Sequence, residues 1–124
     1  MTQHTHSIPL TIDYVEISVT DMQAARDFYA NAFGWSFTSY GDGYSGIRTA
    51  AEAVGDEAGG LVLTDTVVRG GPLVLLYSDD LDGTATRVAE AGGTVIQGPY
   101  EFPGGRRFYF LDPSGNELGV WSTS

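Results

Sequence analysis

The chain carries one pattern of apolar and turn-forming residues twice, at a spacing of 58 residues. Placing residues 15–40 over residues 73–98 aligns Asp21 with Asp79 and Gly34 with Gly92, and a short apolar run precedes each aspartate. Each half then has the pattern of a strand, a helix and further short strands. This repeat restricts the fold to two copies of one small unit packed together.

Two helices are predicted from capping residues and apolar periodicity. Thr20 or Asp21 is a suitable N-cap for a first helix over about residues 21–33, because its side-chain oxygen can accept from free amides of the first turn. Gly34 follows the apolar stripe and can adopt the left-handed conformation that ends a helix. Asp79 or Asp80 caps a second, weaker helix, whose apolar positions are Leu81, Ala85, Val88 and Ala89.

Short β-like segments separated by turn residues account for the rest of each half. The predicted strands are Val15–Val19, Ser36–Ser39, Tyr44–Thr49 and Leu61–Thr64, then Leu73–Tyr77, Thr94–Gln97, Arg107–Leu111 and Glu117–Trp121. The sequence therefore predicts an α+β protein of two tandem βαβββ modules, at about residues 11–66 and 72–124, within a single domain at 11–124. We expect residues 1–10 to be a flexible leader and residues 50–60 a loop.

Composition excludes several classes of function. The chain has 16 acidic and 6 basic residues, a formal charge of −10, so it lacks the basic surface that nucleic acids or anionic membranes require. It has no cysteine, which excludes disulfides and thiolate chemistry. No apolar run approaches the ~20 residues of a membrane helix. The N-terminus lacks a basic start and an apolar stretch, so we expect a cytoplasmic location.

Strand alternation indicates which side chains face a concave surface. In the first strand Val15, Ile17 and Val19 form the aliphatic face that the helix must cover, which leaves Tyr14, Glu16 and Ser18 on the opposite face. The same alternation puts Glu117 and Trp121 of the last strand on its open face. Together with Tyr77, these residues predict a small-molecule pocket with aromatic walls and a few polar groups. The predicted ligand-binding residues are Tyr14, Glu16, Ser18, Tyr77, Glu117 and Trp121.

Other interpretations of the same residues stay open. The two glutamates can face solvent or pair with Arg48, Arg106 or Arg107. The Arg106-Arg107 doublet can hold an anionic group of a ligand or neutralise neighbouring acids. The aromatic run 108–110 can belong to the core or to a ligand platform.

Two motifs near the ends of the chain resemble the vicinal oxygen chelate superfamily, which includes glyoxalase I, bleomycin-resistance proteins and extradiol dioxygenases. They are the run Tyr14–Met22 continuing through Phe33-Gly34-Trp35, and the closing run Phe110–Leu118. The resemblance spans about residues 12–122. It implies a cup-shaped sheet of eight strands, with the helices on the outside, and a divalent metal ion held in the cup of the enzymes.

The metal-ligand positions implied by the resemblance lack suitable donors. They fall on Tyr14, on Leu73 or Val74, on Gly119 and within 59–64, where no His or Glu occurs. Glu16 and Glu117 each lie two residues from such a position and could face a bound ion. The two histidines, His4 and His6, lie in the leader. We therefore predict no metal or other cofactor, with a divalent ion as the disfavoured alternative.

The combined expectation is a glyoxalase- or bleomycin-resistance-like protein that binds a small, partly apolar molecule without a metal ion. Glu16 and Glu117 would favour a cationic or hydrogen-bond-donating ligand. The alternative is a lyase or isomerase with Glu16 or Glu117 as general base and Tyr14 as acid, or a cryptic divalent-metal enzyme. A further alternative is an interaction domain. Under each of these a homodimer is expected, because the sheets leave edges that a second chain can cover.

Overall fold

A computed structural model describes residues 8–49 and 57–124 of the chain. Most of the predicted leader, including His4 and His6, and most of the predicted 50–60 loop lie outside these residues. No helix in the described ranges is both long and apolar enough to cross a membrane.

The first module is a four-stranded sheet with one helix. Its elements are β1 (Val15–Val19), α1 (Met22–Phe33), β2 (Ser36–Ser39), β3 (Tyr44–Arg48) and β4 (Gly59–Leu63). The strand order is β1-β4-β3-β2, with β1 parallel to β4 and the other neighbours antiparallel.

The second module repeats this topology. Its elements are β5 (Leu75–Tyr77), α2 (Leu81–Glu90), β6 (Thr94–Phe102), β7 (Gly105–Leu111) and β8 (Glu117–Ser122). The strand order is β5-β8-β7-β6, again with the first and last strands parallel. The α+β class and the two βαβββ modules are confirmed, and the eight strands are divided between two four-stranded sheets.

Helix α1 ends where the sequence predicts. The Asp21 side chain accepts from the Ala24 amide at 3.0 Å, and Gly34 adopts φ 75° while its amide donates to Ala30. Between these caps the helix buries Ala25, Phe28, Tyr29 and Ala32. Helix α2 begins at the N-cap Asp80, as one of the two predicted alternatives, and ends at Ala91.

The core is shared by both modules. Helix α1 packs against α2, and the ring of Phe28 on α1 lies 5.9 Å from the ring of Phe110 on β7. Ile17 and Val19 of β1 and Phe108 and Phe110 of β7 point into this core and are buried. The helices therefore cover the aliphatic faces of the sheets and leave the opposite faces for the candidate site.

Several predicted strands have a wrong end. Strand β5 begins at Leu75 and not at Leu73, and β7 begins at Gly105 and not at Arg107. Gly59 and Gly60 belong to β4 and not to the predicted loop, because they pair with Val15 and Glu16 of β1. The close approach to the Val15 carbonyl leaves no room for a side chain at Gly59. Strand β6 continues to Phe102 beyond the predicted end at Gln97. Its register against β7 shifts between Val95 and Gln97 and again between Gln97 and Tyr100, and these irregularities interrupt the regular alternation that predicts a strand.

Candidate ligand-binding site

The open face of the first sheet carries the predicted polar side chains. On β1, Ile17 and Val19 are buried in the core, whereas Glu16 is exposed and Ser18 is half-buried. Tyr14, just before the strand, is also half-buried. The predicted alternation is therefore present from Glu16 to Val19, whereas Val15, expected on the covered face, is 37% exposed at the start of the strand.

A cleft of about 440 Å³ lies between the two modules. Glu16 and Ser18 line it from the first module, and Asn116 and Glu117 line it from the second. The modules are joined here by a hydrogen bond of 2.7 Å from the Asn116 amide group to the Ser18 carbonyl. Both predicted glutamates thus lie on one cleft.

The charge of Glu117 is balanced by an arginine that the sequence patterns do not indicate. Arg69 Nε donates to Glu117 Oε1 at 2.8 Å, and the two side chains are 55% and 27% exposed. The arginines named as alternative partners lie elsewhere: Arg48 donates to Thr38, Arg106 pairs with Asp82, and Arg107 donates to Tyr100.

A network of tyrosine hydroxyls leads to Glu16. The Tyr14 and Tyr44 hydroxyls are 2.7 Å apart, and the Tyr44 hydroxyl donates to Glu16 Oε2 at 3.0 Å. Burial, followed by the hydrogen bonds to Tyr14 and Glu16, raises the pKa of Tyr44. Burial is also the main reason that the pKa of Tyr14 is raised. Both hydroxyls therefore stay protonated near neutral pH, and the single hydrogen of Tyr44 is donated to Glu16.

Two glycines make room for this network. Gly46 on β3 and Gly60 on β4 are direct neighbours across the sheet. A side chain at Gly60 would collide with Tyr44, and one at Gly46 would collide with the Glu57 carboxylate. The missing side chains let Tyr44 and Glu57 lie flat on the open face.

Glu57 is a buried acid on this face, with 3% of its surface exposed. Its Oε2 accepts from the Tyr40 hydroxyl at 2.8 Å, and this bond is the main reason that the pKa of Tyr40 is raised. Its Oε1 has no hydrogen-bond partner among the residues that the structure describes.

The open face of the second sheet is aromatic. Trp121 on β8 lies between Tyr77 on β5, at a ring distance of 5.2 Å, and Phe102 on β6, at 6.5 Å. Tyr109 on β7 and Tyr100 on β6 share a hydroxyl contact of 3.0 Å. We call Tyr77, Tyr100, Phe102, Tyr109 and Trp121 the aromatic face. Tyr77 is 54% exposed, so much of its ring is in contact with solvent.

The six predicted residues thus fall into two neighbouring groups. Glu16, Ser18 and Glu117 line the cleft, and Tyr14 joins Glu16 through Tyr44. Tyr77 and Trp121 belong to the aromatic face, and Tyr77 also lines a separate cavity of about 590 Å³ beside the end of α1.

Several residues of the site are not identified from the sequence. Alternation along the predicted strands gives a usable signal for Tyr44 and Tyr109. The same alternation resolves the aromatic run 108–110, because Phe108 and Phe110 are fully buried in the core while Tyr109 is half-buried on the other face. Tyr100 and Phe102 lie beyond the predicted end of their strand, and Glu57 lies within the predicted loop, so no local pattern indicates them.

The residues present do not fit a divalent metal ion of the kind that the resemblance implies. A stable site of this type needs several nitrogen or oxygen donors converging from fixed elements. At the implied positions, the Tyr14 hydroxyl is engaged with Tyr44, and Gly119 has no donor side chain. Among residues 8–49 and 57–124 no three His, Asp or Glu side chains come together to hold a metal ion.

Paired βαβββ modules, with their helices covering one face of each sheet, define a recognised class of fold. The family model described as Glyoxalase/Bleomycin resistance protein/Dioxygenase superfamily matches residues 11–120. The chain belongs to this superfamily, and the family expected from its motifs is confirmed.

Two proteins of Streptomyces are similar to the chain in sequence. The anthracycline biosynthesis protein DnrV of Streptomyces peucetius is 31% identical over 87% of this chain and 45% of its own length. The chain therefore spans about half the length of curated relatives of this kind. TnmS3, an antibiotic binding protein from Streptomyces sp. CB03234, is 28% identical, with a TM-score of 0.69 over 96% of this chain and all of that one.

A third relative is similar in fold alone. The structure of a glyoxalase-related enzyme from Fulvimarina pelagi superposes with a TM-score of 0.75 over 91% of this chain and 88% of that one, at 17% identity. This similarity supports the paired-module fold.

Proposed function

We propose that the chain binds a small, largely aromatic molecule on the open faces of its sheets, without a metal ion. The observation that carries this proposal is the aromatic face, five rings on neighbouring strands beside a cleft lined by two glutamates. Aromatic walls with a few fixed polar groups are the usual composition of a small-molecule site.

Exposure of apolar groups supports this proposal. Tyr77 is 54% exposed and Leu75, two residues earlier on β5, is 40% exposed. Both belong to the open face, because Leu75 pairs with Gly119 and Tyr77 pairs with Trp121. Contiguous exposed apolar side chains of this kind are typical of interaction sites, since leaving them in water is unfavourable.

The Streptomyces relatives support an aromatic ligand. One is named for antibiotic binding and the other for anthracycline biosynthesis, and an anthracycline contains fused planar rings. Planar rings stack well on tyrosine and tryptophan, a contact that requires no metal ion. We propose binding that is independent of a metal ion because the implied metal-ligand positions, such as Tyr14 and Gly119, lack free donor side chains.

Titration of an anthracycline against the protein tests this function. Binding is expected to quench the fluorescence of half-buried Trp121, with the same dissociation constant in EDTA and in added zinc, nickel or manganese. Replacing Tyr77 by Ala removes one wall and should weaken binding about tenfold, the effect of one aromatic contact of about 1.4 kcal/mol. Leu63→Ala, which removes another exposed apolar side chain, is the control and should leave affinity unchanged.

Two results would contradict the proposal. One is binding that appears only with an added divalent ion, and the other is an absence of binding for the anthracycline and for simpler fused-ring compounds. Conversion of the bound compound to a product, abolished in Glu16→Gln or Glu117→Gln, would instead favour the lyase or isomerase alternative. That alternative has one observation in its support, the position of both glutamates on one cleft.

A further inference from the structure

Strand alternation separates the two members of the Arg106-Arg107 doublet. Arg106 lies on the helix-covered side of β7 and forms a two-point ion pair with Asp82 of α2, at 2.7 and 3.1 Å. Arg107 lies on the other side of the strand, beside Trp121 in the sheet register. Arg106 therefore neutralises a neighbouring acid, which is one of the two roles proposed for the doublet. Arg107 does not take part in this ion pair.

The immediate partners of Arg107 are uncharged rings. Its guanidinium carbon lies 5.0 Å from the ring centre of Phe102, 5.3 Å from that of Tyr109 and 5.8 Å from that of Tyr100. Its Nε donates to the Tyr100 hydroxyl at 2.9 Å. In residues 8–49 and 57–124 no carboxylate pairs with Arg107, although the chain has 16 acidic residues and only 6 basic ones.

These contacts orient the guanidinium group of Arg107 but engage only its Nε atom in a hydrogen bond. Stacking on aromatic rings and the bond to Tyr100 restrict the side chain. The two terminal nitrogens have no hydrogen-bond partner in the part of the chain that the structure describes. A planar guanidinium with free terminal N–H groups matches the two oxygens of a carboxylate, and it loses little further side-chain freedom when it binds one.

The guanidinium group of Arg107 affects the pKa values of the neighbouring tyrosine hydroxyls. Hydrogen bonds with Tyr109 and with Arg107 lower the pKa of Tyr100. The hydrogen bond to Tyr100 and burial instead raise the pKa of Tyr109, although the nearby charge of Arg107 acts to lower it.

We propose that Arg107 binds an anionic oxygen group, such as a carboxylate or an ionised phenol, of a ligand whose aromatic rings lie on Trp121 and Tyr77. The inference rests on the proposed function and names the ligand class as planar aromatic acids. Arg107, Trp121 and Tyr77 are successive neighbours across β7, β8 and β5. At ~4.8 Å between strands, this row spans about 10 Å, which suits a ligand of two or three fused rings with one acidic substituent.

This ligand class differs from the one that the glutamates alone would favour. Glu16 and Glu117 line the cleft, and Glu117 is already paired with Arg69. Among the residues that the structure describes, Arg107 has no acidic partner of this kind. The acidic end of the ligand would therefore lie at β7, away from the cleft that holds both glutamates.

A matched pair of probes tests the inference. 2-Naphthoate and 2-naphthamide have the same rings and nearly the same shape, and only the first is an anion. Each is titrated by tryptophan fluorescence against the unaltered protein and the Arg107→Gln, Arg107→Lys and Arg106→Gln variants. Arg106→Gln is the control, because its side chain is on the opposite face of the same strand.

The unaltered protein is expected to bind 2-naphthoate at least about tenfold more tightly than 2-naphthamide, as a charge-assisted, two-point hydrogen bond allows. Arg107→Gln should reduce this preference to less than about twofold without loss of 2-naphthamide binding. Arg107→Lys should retain part of the preference, since it keeps the charge and loses the planar fork. Arg106→Gln should retain all of it.

The outcomes separate this inference from the proposed function. Equal affinity of the unaltered protein for the two probes, or a preference that survives Arg107→Gln, overturns the role of Arg107 and leaves aromatic binding intact. Failure of both probes to bind at millimolar concentration overturns the assignment of planar aromatic acids, and it overturns the proposed function as well when the anthracycline also fails to bind. A side-chain ¹⁵N–¹H spectrum provides a second measurement: 2-naphthoate should shift the Nε–H signal that is missing in Arg107→Lys, and 2-naphthamide should not.

Discussion

Tyr29 illustrates how a single polar group is kept in the core. It is fully buried and stacks on Trp35 at a ring distance of 4.6 Å. Its hydroxyl donates to Asp112 Oδ2 at 2.8 Å. Asp112, also buried, accepts further bonds from the backbone amides of Ser114 and Asn116 and from the Asn116 side chain. Four donors therefore compensate for the desolvation of one carboxylate.

Tyr29→Phe should destabilise the protein by about 1–3 kcal/mol near neutral pH, because Asp112 loses one donor while it stays buried. The measurement is urea unfolding followed by circular dichroism. Tyr77→Phe, which alters an exposed ring, is the control and should change the free energy of unfolding by less than about 0.5 kcal/mol. Equal effects of the two substitutions would refute the role given to the buried hydroxyl.

The same pair predicts a dependence on alkaline pH. Burial, followed by the charge of Asp112, raises the pKa of Tyr29 well above its usual value of 10.0. A group whose pKa is raised by folding contributes stability that is present below its unfolded pKa and is lost as pH rises above it. The unaltered protein should therefore lose stability above about pH 10, and Tyr29→Phe should lose it less steeply.

At the scale of elements, paired glycines on β3 and β4 determine what the first sheet can hold. Gly46 and Gly60 are direct neighbours, and each has a polar side chain lying over it, Glu57 and Tyr44 respectively. Glycine normally weakens a strand. Here glycine is required, because the absence of a side chain at Gly60 leaves the space in which Tyr44 reaches both Tyr14 and Glu16.

Gly60→Ala is expected to displace the Tyr44 ring and break its bonds to Tyr14 and Glu16. The loss of stability should be about 1–2 kcal/mol. The pKa of Tyr44, followed by tyrosine absorbance during an alkaline titration, should fall toward its usual value. Gly43→Ala is the matched control, because a side chain at Gly43 would meet nothing within 4 Å. An unchanged tyrosine titration in Gly60→Ala would contradict this account.

Elements with local signals are the ones that the sequence predicts well. Asp21 and Gly34 bound α1 and are recognisable without any knowledge of its neighbours. Strand β6 is different, since its second half follows Gly98-Pro99, which has the pattern of a turn. The structure continues the strand through two register shifts to Phe102. The two shifts cancel, so Tyr100 and Phe102 lie on the same face of the strand as Thr94. The sequence misses them because the turn pattern of Gly98-Pro99 ends the predicted strand before they are reached.

At the scale of the whole molecule, the repeat predicts two modules and their topology but not their joint surface. The repeat at a spacing of 58 residues indicates that the two modules have the same order of helices and strands. The bonds between modules, from Asn116 to Ser18 and from Thr20 to Ser114, join residues more than 90 positions apart. Such pairs depend on packing and have no local signature. The sequence therefore predicts a pocket that includes Glu16 and Glu117 without giving the contacts between modules that form it.

We predict that the chain forms a twofold homodimer. Val15 on β1 and Leu73, just before β5, are 37% and 41% exposed, and β1 and β5 are edge strands of their sheets. A second chain that covers these edges would bury apolar surface and pair free backbone groups. Sedimentation velocity at micromolar concentration should give about twice the chain mass of 13.2 kDa. A single species of the chain mass would contradict the prediction.

In β1 and β7, side chains on one side of the strand pack in the core, and side chains on the other side lie on the open face of the sheet. Ile17 and Phe108 stabilise the fold on one side, while Glu16 and Arg107, their immediate neighbours in sequence, face outward on the other. Under the proposed function, ligand selectivity and fold stability would be encoded in interleaved but separate sets of positions. A library that varies only the outward positions would sample new ligand preferences on a constant framework.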